Sequence, residues 1–334
     1  MRKLYPVLAV LLLTVAASAQ TKLNGAGATF PYPIYSKWFS QYHEQHPDIE
    51  INYQSIGSGG GIRQVTAGTV DFGASDGPMS DEQLAASKVK LIHLPTVLGS
   101  VVPAYNIPGF KGELKFTPDV IAGIYLGKIT AWNDPAIAKA NPGTSLPNQS
   151  IIVVHRSDGS GTTYIFTDYL SKVSSEWQTS VGKGTSVNWP KGLGAKGNEG
   201  VAGMIRQMDG AFGYVELIYA LQNNITFGSV KNAAGSFVKA SLDSTTAAAA
   251  SMKAMPADFR VSITNAPGKD SYPIASFTWL LVPTDWKDKN KQKVFVDFLT
   301  WMLDQGQTFT AQLNYAPLPD AVKLKEREAI KTIH

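Results

Sequence analysis

The chain has 334 residues, 30 Lys or Arg against 26 Asp or Glu, a formal net charge of +4 and no cysteine. Without thiols it can form no disulfide, thiolate nucleophile, zinc–cysteine site or acylated-cysteine anchor, so its stability must come from an apolar core. The small, evenly spread charge argues against a nucleic-acid or membrane-surface protein, which would concentrate Lys and Arg in runs.

The segment Met1 to Ala19 has the layout of a secretory signal: Arg2 and Lys3, the apolar run Val7 to Val15, then Ala17-Ser18-Ala19 before Gln20. Cleavage is expected after Ala19, giving a soluble, exported chain. The apolar run is too short for a membrane span, which needs about 20 such residues. The remaining ~315 residues suggest two domains, on a prior of roughly 150 residues each.

Short apolar strand patterns then alternate with helical ones, which predicts an α/β architecture with largely parallel sheets. "GAGATFPYP" (Gly25–Pro33) reads as a loop opening a helix over Ser36–Gln45, where Trp38, Phe39 and Tyr42 recur at helical spacing before Pro47. A strand is expected at Ile49–Tyr53, and "GSGGGIRQV" (Gly57–Val65) is a second loop opening a helix. Further strands are expected at Phe72–Ala74, Lys90–Leu94 and Val101–Asn106. Thr117 before Pro118, with Gly127 as a stop, marks a capped helix, and Asp134 before Pro135 repeats the device. After a strand at Ile151–His155 comes "RSDGSGTT" (Arg156–Thr163), the third glycine-hydroxyl loop. Gly182 to Gly200 reads as one long glycine- and lysine-rich connection. Strands at Phe212–Val215 and Phe277–Val282 follow, then an amphipathic helix over Lys289–Asp304 with Val294, Phe295, Phe298, Leu299 and Met302 on its core face.

The three glycine-hydroxyl loops are alike in what they offer. Backbone N–H groups at a helix start have no partner inside the helix, and the helix dipole favours negative charge there. With the hydroxyls of Thr29, Ser58, Ser160 and Thr162 and the single cation Arg156, the pattern points to an anion site. A nucleotide site fits less well. No loop carries the lysine and Ser/Thr of a P-loop, and Phe30 and Ile62 stand where a dinucleotide fingerprint needs its third glycine.

Two catalytic patterns and one metal pattern are weighed against this. "VDFGASDGP" (Val70–Pro78) contains G-x-S-x-G, which would make Ser75 the nucleophile of a secreted phosphatase or esterase, but His155 is the one plausible base. The D-F-G within it lacks the other kinase motifs. His43 and His46 lie three apart on a polar helix face without a third ligand, so no metal site or cofactor is expected.

Taken together, "GAGATFPYPIYSKW", "IGSGGGIRQVTAGTVDFGASDGPMS", "IYLGKITAWNDPAIAKANPG", "RSDGSGTTYIFTDYL", "GNEGVAG" with "GAFGYVE", and "NYAPLP" resemble the periplasmic phosphate-binding proteins of high-affinity phosphate ABC transporters, the PstS family. The resemblance implies a two-lobed periplasmic binding protein fold of type II. Each lobe would be a mixed, mostly parallel sheet flanked by helices, with the ligand cleft between lobes. From the order of elements, lobe one is expected at 20–103 plus 273–334 and lobe two at 104–272. The resemblance also implies a periplasmic monomer that binds inorganic phosphate and delivers it to membrane permease subunits, with no enzymatic step. An alternative is a phosphate-binding surface or adhesion protein on the same scaffold.

Carried over motif by motif, the family's phosphate ligands fall on Thr29, Phe30 (backbone), Ser58, Asp76, Arg156, Ser160, Gly161 (backbone) and Thr162, with Asp158 behind Arg156. Gly59 departs from the pattern, standing where some members have a second serine. The aspartate then has a rationale. Phosphate near neutral pH retains a proton that it can donate to Asp76, whereas sulfate has none and would leave the carboxylate unpaired.

Overall fold

The computed structural model describes residues 20–334. The expected signal segment and its cleavage site lie outside them.

Twelve strands occur among these residues: β1 (Thr21–Gly27), β2 (Ile49–Ser55), β3 (Phe72–Ser75), β4 (Leu91–Tyr105), β5 (Lys115–Phe116), β6 (Ile152–Arg156), β7 (Leu193–Ala195), β8 (Ala211–Glu216), β9 (Thr226–Phe227), β10 (Ser229–Lys231), β11 (Phe237–Val238) and β12 (Ala275–Pro283). The main sheet runs β2-β1-β3-β12-β4-β8-β6-β7, with β9 also on β4, and β11-β10-β5 form a small separate sheet.

The expectation of largely parallel sheets holds only toward the two ends. The pairs β1/β2, β1/β3, β6/β7 and β6/β8 are parallel, because helices Tyr32–Gln45, Ser58–Ala67, Gly161–Val173 and Gly197–Gln207 provide the crossovers that parallel neighbours require. In the middle, β12 is antiparallel to β3 and β4, and β4 is antiparallel to β8 and β9.

The separate strands expected at Lys90–Leu94 and Val101–Asn106 are one strand. β4 pairs with β12 over Leu91–Ser100 and with β8 over Val101–Tyr105, so it carries the chain from one half of the sheet to the other. Pro95 and Pro103 both lie inside it, tolerated in a strand that changes partners along its length.

The two halves repeat one plan. A central strand (β1 or β6) is followed by a helix and the outer strand (β2 or β7), then by a second helix and the inner strand (β3 or β8). Aromatic side chains fill each half: Phe39, Tyr42, Phe72, Phe295 and Phe298 on the first, Tyr125, Phe166, Trp177, Phe212 and Tyr214 on the second. The buried apolar residues form one large continuous cluster, with a small satellite around Val65, Met79 and Leu281.

Several local expectations need correction. Gly25–Gly27 belong to β1 rather than to a loop, and the first helix starts at Tyr32, not Ser36. A Cβ at Gly25 would overlap the Phe72 ring, so these glycines admit close strand packing rather than a turn. The Gly182–Gly200 connection is not one loop, since it contains β7 and the start of helix Gly197–Gln207. Helices Pro118–Tyr125 and Pro135–Ala140 begin where their caps indicated, with Thr117 accepting from the Val120 amide and Asp134 from the Ala136 amide, and the helix expected from its apolar face spans Lys289–Asp304. No helix among the described residues is long and apolar enough to cross a membrane.

Candidate functional site

The carboxyl ends of β1, β3, β6 and β8 all face the junction between the halves, the place where open α/β sheets take their ligands. From the first half come Thr29 after β1, Ser58 at the start of a helix after β2, and Asp76 after β3. From the second come Arg156 at the end of β6 and Ser160, Gly161 and Thr162 at the start of the next helix. Thr29, Phe30, Ser58, Asp76, Arg156, Ser160 and Thr162 are all buried to within 3 % of full exclusion from solvent.

The halves touch here. The Gly59 amide donates to the Gly159 carbonyl at 2.8 Å, and a Cβ on Gly59 would lie 3.0 Å from the Gly159 Cα. That contact is tight at Gly59: a serine there would require the facing loop to give by a few tenths of an ångström. A Cβ on Gly161 would collide with Ser58 Oγ and the Asp76 carboxylate, so a residue of the second half sits directly against two of the first.

Arg156 is held by a fork of two bonds. Its Nε donates to Asp158 Oδ1 at 2.8 Å and its Nη2 to Asp158 Oδ2 at 2.6 Å, while Nη1 reaches Thr162 Oγ1 at 3.3 Å. Burial works to push the Asp158 carboxyl up, but the bonds and charge of Arg156, with the Gly197 amide at 3.1 Å, outweigh it and hold the group below its ordinary value.

Asp76 has the opposite balance. Its Oδ1 accepts from Thr278 Oγ1 at 2.8 Å, and its Oδ2, fully buried, has no hydrogen-bond partner among the described residues. Burial pushes its pKa up to about 7, against the smaller opposing effects of Thr278, Arg156 and Ser58. A buried acceptor left unpaired is costly, and this one lies beside the donors of both halves.

Those donors are partly free. Ser160 Oγ caps its helix by accepting from the Thr163 amide at 3.0 Å, which leaves the amides of Gly161 and Thr162 without an intrahelical acceptor. The Phe30 amide also lacks a backbone acceptor among the described residues, whereas the Phe30 carbonyl takes the Tyr315 hydroxyl at 2.5 Å.

Asn198, Thr278, Tyr219 and Tyr315 were not singled out by the sequence reading. Asn198 Nδ2 donates to Thr29 and Thr162 at 2.8 and 3.0 Å, and Tyr219 donates to the Thr29 carbonyl at 2.6 Å. Asn198 and Tyr315 lie inside the quoted blocks "GNEGVAG" and "NYAPLP", so a signal existed, but no chemistry was legible in it.

The catalytic and metal patterns lead elsewhere. Ser75 is fully buried and donates to the Gly77 carbonyl at 2.5 Å. His155 stacks on Trp189 with Nδ1 at 3.0 Å from its neighbour's carbonyl, and His93 Nε2 accepts from the Met79 amide. Neither is hydrogen-bonded to Ser75. His43 Nδ1 is 2.6 Å from the Ile49 carbonyl, and no group of three metal-ligating side chains occurs among the described residues.

A junction of two α/β halves with a converging set of donors defines a solute-binding receptor, and comparison with known proteins agrees: residues 14–305 match the PBP superfamily domain. Phosphate-binding protein PstS of Pasteurella multocida is 47 % identical over 335 residues, covering 99 % of this chain and 96 % of that protein. Among solved structures, the phosphate-binding protein from Stenotrophomonas maltophilia aligns with a TM-score of 0.69 at 21 % identity, over 92 % of this chain and 93 % of that one. A high-affinity periplasmic phosphate-binding protein, PfluDING, bound with phosphate at pH 8.5, aligns with a TM-score of 0.74 at 23 % identity over the same shares. The chain belongs to the PBP superfamily and, within it, to the PstS family, whose members are named as binding proteins rather than catalysts.

Proposed function

We propose that this protein takes up inorganic phosphate in the periplasm, closes around it, and delivers it to the permease of a phosphate ABC transporter. The observation that carries the reading is the unpartnered, buried Asp76 Oδ2 set among donors. Thr29, Ser58, Arg156, Ser160 and Thr162, with the amides of Phe30 and Gly161, supply donors to phosphate oxygens, and Asp158 aims the guanidinium. Asp76 supplies the acceptor. A protonated phosphate oxygen donates to it, and sulfate cannot.

The mechanism needs no covalent step. Phosphate bridges lobe one (20–103 plus 273–334) and lobe two (104–272), and closure removes water, so each bond to the ligand acts in a lower dielectric. β4 is one of the crossings about which the lobes move. The protein acts as a monomer, exported with cleavage after Ala19, and N-terminal sequencing of the mature chain checks that site.

The test is calorimetric titration with phosphate and then sulfate, on mature protein unfolded and refolded to remove carried-over ligand. One tight phosphate site with no sulfate response is expected. A folded protein that binds neither would overturn the reading.

A further inference from the structure

The two threonine hydroxyls in the cleft are not free to choose their role. A hydroxyl oxygen has one proton to donate and two lone pairs with which to accept. Thr29 Oγ1 accepts from Asn198 Nδ2 at 2.8 Å and from the Asn198 backbone amide at 3.3 Å. Thr162 Oγ1 accepts from Asn198 Nδ2 at 3.0 Å and from Arg156 Nη1 at 3.3 Å. Both acceptor positions of each oxygen are taken, and neither hydroxyl donates to any atom of the described residues.

The orientation of the Asn198 amide is fixed by a third bond. Its Oδ1 accepts from the Glu216 amide at 2.9 Å, and the side chain is fully buried. A flipped amide would set NH2 against that N–H and give up both donors to the threonines. Asn198 stands in the first turn of the second crossover helix of its half, the place that Ser58 holds in the other half.

We infer that Asn198 is a positioning residue that sets the polarity of the cleft. One of its two Nδ2 protons goes to Thr29 on the first lobe and one to Thr162 on the second, so that both hydroxyls become obligate donors when the lobes meet. A ligand oxygen that carries no proton is therefore preferred at both positions. Asp76 is left as the acceptor for the proton that phosphate does carry. Asn198 thus joins closure to recognition without touching the ligand.

The inference rests on the phosphate reading of the cleft, and a mutant cycle keeps the two apart. Phosphate affinity is measured by calorimetry at pH 8 for Thr29→Val/Thr162→Val, for Asn198→Ala and for the triple variant. The double valine variant is expected to weaken binding on the order of 10- to 100-fold, and Asn198→Ala by a similar factor. The triple variant should bind within about twofold of the double valine variant, because Asn198 acts through the hydroxyls, whereas a merely structural role would make the two losses multiply. Multiplying losses, or wild-type affinity in Asn198→Ala, would overturn the inference and leave the site intact. Wild-type affinity in the double valine variant would overturn the site assignment of both threonines as well. Should Asn198→Ala fail to fold, neutron diffraction of the wild-type phosphate complex decides: deuterons of both hydroxyls facing phosphate support the inference, and one turned to Asn198 overturns it.

Discussion

Asp76 and Asp168 are both about 1 % exposed, yet their surroundings treat them in opposite ways. Asp168 accepts from Lys183 Nζ at 2.6 Å, Ser262 Oγ at 2.6 Å and Thr264 Oγ1 at 2.5 Å, with Lys172 Nζ at 3.1 Å. Burial pushes its carboxyl up, but those donors outweigh it and hold the pKa near 2. Asp76 has one side-chain donor on Oδ1 and none on Oδ2, and burial carries it to about 7. The difference teaches that burial alone does not mark a functional acid. A carboxylate saturated with donors ties elements together, here the helix Gly161–Val173 to the return segment at Ser262 and Thr264; being short of donors does not mark a site either, since Glu326 is fully buried with both carboxylate oxygens unpaired, and what sets Asp76 apart is that its open Oδ2 lies against Gly161 at the helix start of the other half.

The sharpest way to break this comparison is Asp76→Asn. Discrimination of phosphate over sulfate should fall by on the order of 10²- to 10⁴-fold, because no buried carboxylate is then left unpaired by sulfate. Competition calorimetry measures it, and unchanged selectivity would remove Asp76 from the site. The same variant tests the raised pKa. A carboxyl whose folded pKa lies above its unfolded one contributes stability that is fully present below the unfolded value, near 4, and is lost as pH rises through about 7. Phosphate-free wild type should therefore lose melting temperature over that window, and Asp76→Asn should flatten the slope.

Next in size is Arg156→Ala, expected to weaken phosphate binding by at least about 1.5–3 kcal/mol and to leave Asp158 without its fork. Titration with phosphate reads it directly, and wild-type affinity would place the anion elsewhere.

Asp168→Asn sharpens the other side of the comparison. It should lower stability by about 1–3 kcal/mol in denaturant unfolding while leaving phosphate affinity within about twofold. Its sign with pH is opposite to that of Asp76. The contribution of a depressed carboxyl is present above its unfolded pKa, near 4, and is lost as pH falls through about 2. An Asp168→Asn variant with lost phosphate affinity would mean that the two buried acids are not separate in role.

The smallest effect belongs to Ser75→Ala. Ser75 Oγ serves only the turn at Gly77, so affinity should be unchanged and stability lowered by about 1 kcal/mol. Neither the wild type nor the variant should turn over a chromogenic phosphate ester.

The helix caps and the core face of Lys289–Asp304 were readable because each is decided by neighbours a few residues away. Thr117 meets the Val120 amide, and Ser160 meets the Thr163 amide. The same locality makes the anion loops visible as glycines and hydroxyls before a helix. Reading Gly25–Gly27 as loop failed because a glycine pressed against Phe72 in a strand looks, in sequence, like a glycine in a turn.

The sequence by itself determined the family and which hydroxyls, amides and guanidinium the glycine loops carry, since those reside in contiguous motifs. Only the tertiary structure decided that Asp76 Oδ2 lacks a partner, that Thr278 meets Oδ1 from 202 positions away, and that Asn198 meets Thr29 from 169 positions away. Such contacts form because the sheet, with β4 running from one half to the other, brings distant segments together, and no local preference encodes them. Whether a buried acid is saturated or unpaired depends on which distant donors the fold brings within hydrogen-bond reach, and that sum exists only once the chain has folded.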